Sequence, residues 1–262
     1  DRATAILSRK GIPVRLIGGL SDITEQKHAE QMKSDFVSFV THQLRTPLSG
    51  VKWMLELATD SLDEPDEARS YIQDARMSTE RLIGMVNDLL HISRLERGKL
   101  QLTFHNLDVV QITQSIVDEV SPLAVEKGQS LTLEITPGVP AVRGDEQLLR
   151  QAILNLVSNA IKYTPADGKI HIHIKRDGEQ VLWSVEDTGI GIPKADLSKL
   201  FDKFYRAGNV LAVETEGTGL GLYLVRLIMD RFGGKVWCES AENSGSNFLL
   251  ALPIAVSRGA NE

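Results

Sequence analysis

The sequence predicts a chain of class α followed by α/β: an antiparallel helical hairpin, then a two-layer α/β sandwich. Three patterns carry this. Apolar residues recur at helical spacings through residues 23–55 and again from Ala68 to Ile92, with a break at residues 60–65. From Gly98 onward, short alternating strands take turns with amphipathic helices. A length of 262 residues is enough for two modest domains, each with its own core.

The first residues, to about 22, read as extended structure with turns, Gly11-Ile12-Pro13-Val14 and then Leu16-Ile17-Gly18-Gly19-Leu20. Asp22 stands as an N-cap with Glu25 three residues on, a capping-box pattern. Ile23, Ala29, Met32, Phe36 and Val40 then lead into a long helix carrying His42. The second helix repeats Ala68, Ala75, Leu82 and Leu89 every seven residues, with Tyr71, Ile72, Met85, Val86 and Ile92 on the other seam. One hairpin cannot bury both seams, but two can as a four-helix bundle, so residues 23–97 are read as an obligate dimerisation module.

Gly98 stops the second helix, and residues 98–103 read as a hinge and first strand, with Leu100, Leu102 and Phe104 alternating. Residues 104–255 form the second domain. Its helices are expected at 107–125, 145–163 and about 220–232. Its strands are expected at 131–135, 170–174, 181–185, 235–239 and 247–252, with Asp177-Gly178 turning between the second and third of these. Residues 256–262 read as a disordered tail.

A hydrophobic share of 42% and a charged share of 24% are those of an ordinary globular protein. A net charge of −6 without any basic block argues against a nucleic-acid partner. No apolar run approaches membrane-spanning length and no signal peptide is visible, so no direct membrane contact is expected within these residues. Asp1 is not a natural initiator; the chain reads as a cytoplasmic fragment with room upstream for a membrane anchor. The single cysteine, Cys238, excludes an internal disulfide, and its run Val236-Trp237-Cys238 reads as a buried, inert thiol.

His42 opens the run His42-Gln43-Leu44-Arg45-Thr46-Pro47-Leu48. On a helical wheel Phe36, Val40, Leu44, Pro47, Val51 and Leu55 share one stripe, and His42 points about 190° away from its middle. A solvent-facing histidine there can be reached by another domain. Pro47 has no N–H for the carbonyl of Gln43 and is expected to kink the helix beside His42. Thr46 lies one turn on, within reach of whatever the imidazole carries. His91, on the second helix, reads as a surface residue.

In the second domain Asn155, Asn159 and Lys162 line one edge of their helix. Asparagine is a poor helix former, its amide oxygen suits Mg²⁺, and a lysine one turn on can meet a phosphate. Asp187-Thr188-Gly189-Ile190-Gly191 closes a strand with a carboxylate able to accept from an exocyclic amine such as adenine N6, and with glycines that admit a flat base. Gly217-Thr218-Gly219-Leu220-Gly221 opens directly into a helix, which offers backbone N–H groups and a positive dipole end to an anion. Neither a Walker loop nor a dinucleotide turn matches it, because no Gly-Lys-Ser/Thr follows and no strand closely precedes.

The His42 run resembles the phosphoacceptor box of bacterial sensor histidine kinases, and the three later patterns resemble the N, G1 and G2 boxes of their catalytic domains. Leu200-Phe201-Asp202-Lys203-Phe204-Tyr205-Arg206 resembles the F box, and Ser244-Gly245-Ser246-Asn247-Phe248 the last glycine box. Residues 1–22 look like the end of a PAS-like sensor domain. The resemblance implies a sandwich of the gyrase, chaperone and histidine-kinase type that binds ATP and Mg²⁺. It implies that Asn159 is the main Mg²⁺ ligand with Asn155 assisting, that Lys162 and Arg206 meet phosphates, that Tyr163 lies against the nucleotide and that Asp187 reads adenine. Residues 207–216 would be a mobile lid. Phe201 and Phe204 also read as ordinary amphipathic core, and packing is preferred for at least one.

The implied protein is a homodimer that autophosphorylates His42 and passes the phosphoryl group to an aspartate of a response-regulator receiver domain, under an upstream sensor domain. Thr46 would serve in dephosphorylating that regulator. A rival is an ATPase of the same nucleotide-binding fold. Those hydrolases carry a glutamate four residues before the magnesium asparagine; this chain has Asn155 there, and an amide cannot take a proton from water. A second rival is a nucleotide-binding signalling scaffold with weak kinase activity. Gln43 bears on it, because family members usually carry a carboxylate directly after the phosphoacceptor. Gln43 can accept the imidazole N–H through its amide oxygen, but without charge.

Overall fold

A computed structural model describes residues 2–7, 13–19, 22–98, 102–213 and 217–255. The chain divides into two compact units, residues 1–83 and 84–262. In the first, β1 (Arg2–Leu7) and β2 (Pro13–Gly19) pair antiparallel, with Arg2 opposite Gly19 and an irregularity at Ile6 and Leu7. Then α1 (Thr24–Asp60) runs for 37 residues and stays helical through Pro47. The expected capping box is replaced by a simpler arrangement. Ile23 holds the cap position, and the Asp22 carboxylate accepts from the Thr24 N–H at 2.8 Å.

The chain turns at residues 61–64 and enters α2 (Pro65–Glu96) on a proline, whose missing N–H is harmless in a first turn. Asp66 and Glu67 follow at the positive end of the helix dipole. Among the described side chains of this unit, Ala58, Ala68 and Ala75 are buried. Val37, Leu48, Trp53, Ile72 and Ile83 remain exposed on the single chain.

The second unit begins inside α2. Ile92 and Leu95, from its last turns, are fully buried in the same core as the sandwich that follows. Arg97 and Gly98 close the helix in a turn, and residues 99–101 lie outside those described. Of the alternating run Leu100, Leu102 and Phe104, the two described residues, Leu102 and Phe104, are not in a strand. Residues 102–104 are irregular, and β3 (His105–Leu107) starts later, paired antiparallel with β5 (Val142–Gly144). The reason is packing: Phe104 meets Phe232 edge-on at 5.8 Å, while Leu107 is the residue of this segment that turns into the core.

Asp108 caps α3 (Val109–Glu126) by accepting from the Val110 and Gln111 N–H groups. Asp145 caps α4 (Glu146–Tyr163) through Leu148, and its second oxygen takes the Thr103 N–H at 3.2 Å. Each cap is worth about 1 kcal/mol. The main sheet has five strands in the order β4 (Ser130–Ile135), β6 (Lys169–Asp177), β7 (Gln180–Asp187), β9 (Ser246–Pro253), β8 (Lys235–Ser240). The β4–β6 pair is parallel and the others are antiparallel.

Alternation decides which face of this sheet is covered. Ile170, Ile172 and Ile174, then Val181, Trp183 and Val185, turn one way and are fully buried. The apolar stripes of α3, α4 and α6 (Gly221–Phe232) supply the buried residues that complete the layer. The one polar atom of Trp183 is satisfied there, donating to the Thr113 hydroxyl at 3.1 Å. The two-layer sandwich is thus present, with β5 as a strand too short for alternation to reveal. The expected tail, 256–262, lies outside the described residues.

Candidate functional site

On α1, His42 is exposed, opposite the half-buried Phe36, Val40, Leu44, Pro47 and Val51 of the predicted stripe, whose last member, Leu55, is exposed on the single chain. Gln43 beside it is half-buried. The Thr46 hydroxyl donates back to the His42 carbonyl at 3.4 Å, which keeps it on the same helical turn as the imidazole. These three residues belong to the first unit and the nucleotide-type motifs to the second.

In the second unit one pocket gathers most of the predicted residues. Asn155, Asn159, Lys162 and Tyr163 line it from α4, Asp187 and Gly191 from the end of β7, and Arg206, Gly217, Thr218, Gly219 and Gly221 from the glycine-rich side. Two predicted residues stand behind the wall. Leu220 is buried in the core, and Gly189 serves by donating its N–H to Asp187 at 2.8 Å. Phe248, Ser246 and Leu200 line the pocket as well.

Each side chain has a structural reason for its place. The Asn155 amide donates to the Gly221 carbonyl at 3.5 Å, linking α4 to the first residue of α6. The last turn of α4 is held by two residues that the sequence did not single out. Gln129, buried, donates to the carbonyls of Ile161 and Thr164 at 2.9 and 2.5 Å, and the Lys127 ammonium donates to Ile161 at 3.1 Å. These bonds satisfy carbonyls that a helix end leaves open, on the turn that carries Lys162 and Tyr163. The Lys162 ammonium sits 5.6 Å from the Tyr163 ring centre.

Asp187 is buried, and burial pushes its carboxyl up to about 6, against the opposing pull of the Gly189 and Ser246 backbone N–H groups. The loop after it is pinned: Ile190 donates its N–H to the Tyr163 carbonyl, and Ile192 donates its N–H to the Ser240 hydroxyl at 2.8 Å. Gly191 has φ +64°, and a Cβ there would run into the Ala241 carbonyl. Cys238, half-buried nearby, has its thiol pushed up to about 12 by burial, which fits an inert role.

The glycine-rich side is built around Phe204, which takes φ +68°, a region costly for a residue with a Cβ, and donates its N–H to the Gly219 carbonyl at 3.0 Å. Phe201 packs edge-on against Phe248 at 6.5 Å, so both phenylalanines of this segment are packing residues. Arg206 donates to the Gly217 carbonyl at 3.2 Å and braces the loop. Leu220 holds the N-cap of α6 and, among the described residues, no side chain caps it, a helix start of the kind that suits an anion. Within the expected lid, α5 (Gly208–Val213) is a short helix whose Asn209 amide donates to the Gly191 carbonyl at 2.8 Å. Residues 214–216 lie outside those described.

The arrangement suits a purine nucleotide: a slot walled by apolar side chains with Asp187 at its back, then an uncapped helix start flanked by Lys162 and Arg206. Among the described residues no group of three His, Cys, Asp or Glu stands together as a metal cage. The amide oxygens of Asn155 and Asn159 suit a hard cation that takes its remaining ligands from phosphates and water. One sequence reading is corrected. His91 is half-buried rather than a free surface residue, with its Nδ1 at 2.6 Å from the Gln151 amide oxygen.

Residues 32–98 match the His Kinase A (phospho-acceptor) domain. Residues 144–256 match the histidine kinase-, DNA gyrase B-, and HSP90-like ATPase domain. The sensor histidine kinase WalK of Bacillus subtilis is 34% identical over 245 residues, which cover 91% of this chain and 39% of WalK. The histidine kinase AdeS of Acinetobacter baumannii shares the fold with a TM-score of 0.66 at 25% identity, covering 81% of this chain and 98% of that one. Full-length ShkA in complex with AMPPNP gives a TM-score of 0.62 at 31% identity, covering 84% of this chain and 46% of that one. The chain therefore spans about two fifths of the length of WalK of Bacillus subtilis, 39%. No helix among the described residues is long and apolar enough to cross a membrane.

Proposed function

The chain belongs to the sensor histidine kinases, and we propose that it transfers the γ-phosphoryl group of ATP to His42 and from there to an aspartate of a response-regulator receiver domain. The observation that carries this is the pairing of an exposed His42 on the phospho-acceptor helix with a pocket combining Asp187, the uncapped start of α6 and two asparagines. Asp187 accepts the exocyclic amine of adenine, and the pinned Gly189–Gly191 loop sets the plane of the base. Lys162, Arg206 and the N–H groups of α6 hold the phosphates. Mg²⁺, when bound, neutralises phosphate charge; Asn159 and Asn155 are the residues that would hold it.

His42 is the nucleophile. A ring nitrogen forms a bond to the γ-phosphorus as the bond to the bridging oxygen breaks and ADP leaves. Positioning and charge neutralisation do most of the work in such a transfer. Gln43 orients the imidazole by accepting its other N–H, and Thr46 holds a hydroxyl beside the phosphorylated ring for the reverse, hydrolytic reaction on the regulator. The exposed apolar residues along α1 and α2 support a homodimer in which two hairpins close a four-helix bundle. Residues 1–22 are read as the end of a PAS-like sensor domain.

Incubation with γ-labelled ATP tests the proposal. The expected result is label on the protein that is acid-labile and base-stable, and absent from a His42→Ala variant that still binds nucleotide. Release of free phosphate without labelled protein would mean a hydrolase, against which the amide of Asn155 already argues. Binding with neither product would mean a scaffold.

A further inference from the structure

The nucleotide pocket has one wall residue that does not come from the α/β sandwich. Asp88, on the part of α2 that packs in the second unit, lines it together with Asn155. Its carboxylate accepts from the Gln151 amide at 2.8 Å, and the oxygen of the same amide meets His91 Nδ1 at 2.6 Å. Gln151 lies one helical turn before Asn155 on α4, so this chain of bonds fastens α2 to the edge of α4 that runs into the pocket. Further along, Glu96 accepts from Lys203 and from the Tyr223 hydroxyl, and Arg231 donates to the Leu95 carbonyl.

We propose that Asp88 makes this fastening sensitive to the charge of the nucleotide: a triphosphate entering beside Asn155 repels the Asp88 carboxylate, breaks the Asp88–Gln151–His91 chain and loosens α2 from α4. The proposal rests on the reading that the pocket takes ATP. Asp88 is half-buried, and burial already holds its carboxyl above the ordinary range, so little water is left to screen a second anion. Adenosine fills the base slot without bringing charge and leaves the chain of bonds intact. Because the nucleotide must open the bonds in order to bind, its affinity and their stability are linked. Asn155 and Asn159, which hold the cation, are a separate contribution of opposite sign.

The experiment measures binding of ATP, ADP and adenosine, each with Mg²⁺, to the full chain and to Asp88→Asn and Gln151→Ala. It also follows the ¹⁵N signal of the His91 ring, assigned with His91→Gln. Asp88→Asn keeps the acceptor oxygen and removes the charge. It should bind ATP about tenfold more tightly, ADP less so, and adenosine as the unaltered chain does. Gln151→Ala, which cuts the chain of bonds from the other side, should also favour ATP over adenosine. The His91 signal should move with ATP in the unaltered chain, stay with adenosine, and stay with either ligand in Asp88→Asn. Unchanged or weakened ATP binding in Asp88→Asn, or a His91 signal that follows adenosine as well, overturns the proposal. Loss of adenosine binding in one variant marks a damaged pocket and leaves the decision to the other. An unaltered chain that binds adenosine but responds to ATP no differently refutes the charge sensing alone. One that binds neither refutes the nucleotide reading, and this proposal with it.

Discussion

Replacing Asp187 by Asn should make the ATP-binding unit more stable at pH 8 while abolishing its preference for adenine. Burial raises this carboxyl from its usual 3.8 to about 6. The folded state therefore favours the protonated form, so the stabilising contribution is fully present below pH 3.8 and is lost as pH rises through about 6. The shift corresponds to roughly 3 kcal/mol of destabilisation once the group is ionised. Asn keeps an acceptor oxygen for the Gly189 N–H, now at 2.8 Å from Asp187, but cannot ionise. A net gain of about 2 kcal/mol at pH 8 is expected after allowing for weaker neutral hydrogen bonds. Near pH 4 the gain should vanish. Urea unfolding followed through Trp183 fluorescence at both pH values, with and without the substitution, measures it. Equal stability at pH 8, or a difference that does not change with pH, would refute the argument that Asp187 is an expensive buried charge kept for its ligand.

Asn159→Ala should remove Mg²⁺-dependent nucleotide binding while circular dichroism stays unchanged, since alanine is the better helix former on α4; titration with a fluorescent ATP analogue checks this. Thr46→Ala should slow dephosphorylation of a purified receiver domain more than autophosphorylation, because the hydroxyl bonded to the His42 carbonyl would be lost to the water-activating step alone. Gln43→Glu should raise the autophosphorylation rate a few-fold without altering ATP affinity, in single-turnover assays. A charge-assisted bond is about twice as strong as a neutral one, and water around the exposed His42 tempers the gain.

The parts of this molecule written in short periods were legible. The isoleucines of β6, the helical stripe opposite His42 and the glycines leading into α6 each follow from local rules, and their places in the fold agree with them. What was not legible depends on partners distant in sequence. The helical seam reading runs on to Ile92, because periodicity cannot tell a neighbouring helix from the core of another layer; Ile92 is buried with the sandwich, as is Leu95 one turn on. The run Leu100, Leu102, Phe104 alternates like a strand, yet Phe104 is taken by Phe232 across the domain. Gln129 gives no local sign that it will hold the end of α4, and nothing in the sequence announces that Phe204 adopts a left-handed conformation. The short β5 has no room for a period at all.

The site of phosphorylation tests the account most directly. The chain, incubated with Mg²⁺ and ATP and kept at alkaline pH to preserve an N–P bond, can be fragmented by electron transfer and the phosphate mapped by mass spectrometry. Phosphate on His42, and none on His91 or the other histidines, is the predicted result. Phosphate on any other residue, or a chain that consumes ATP and carries none, would contradict it.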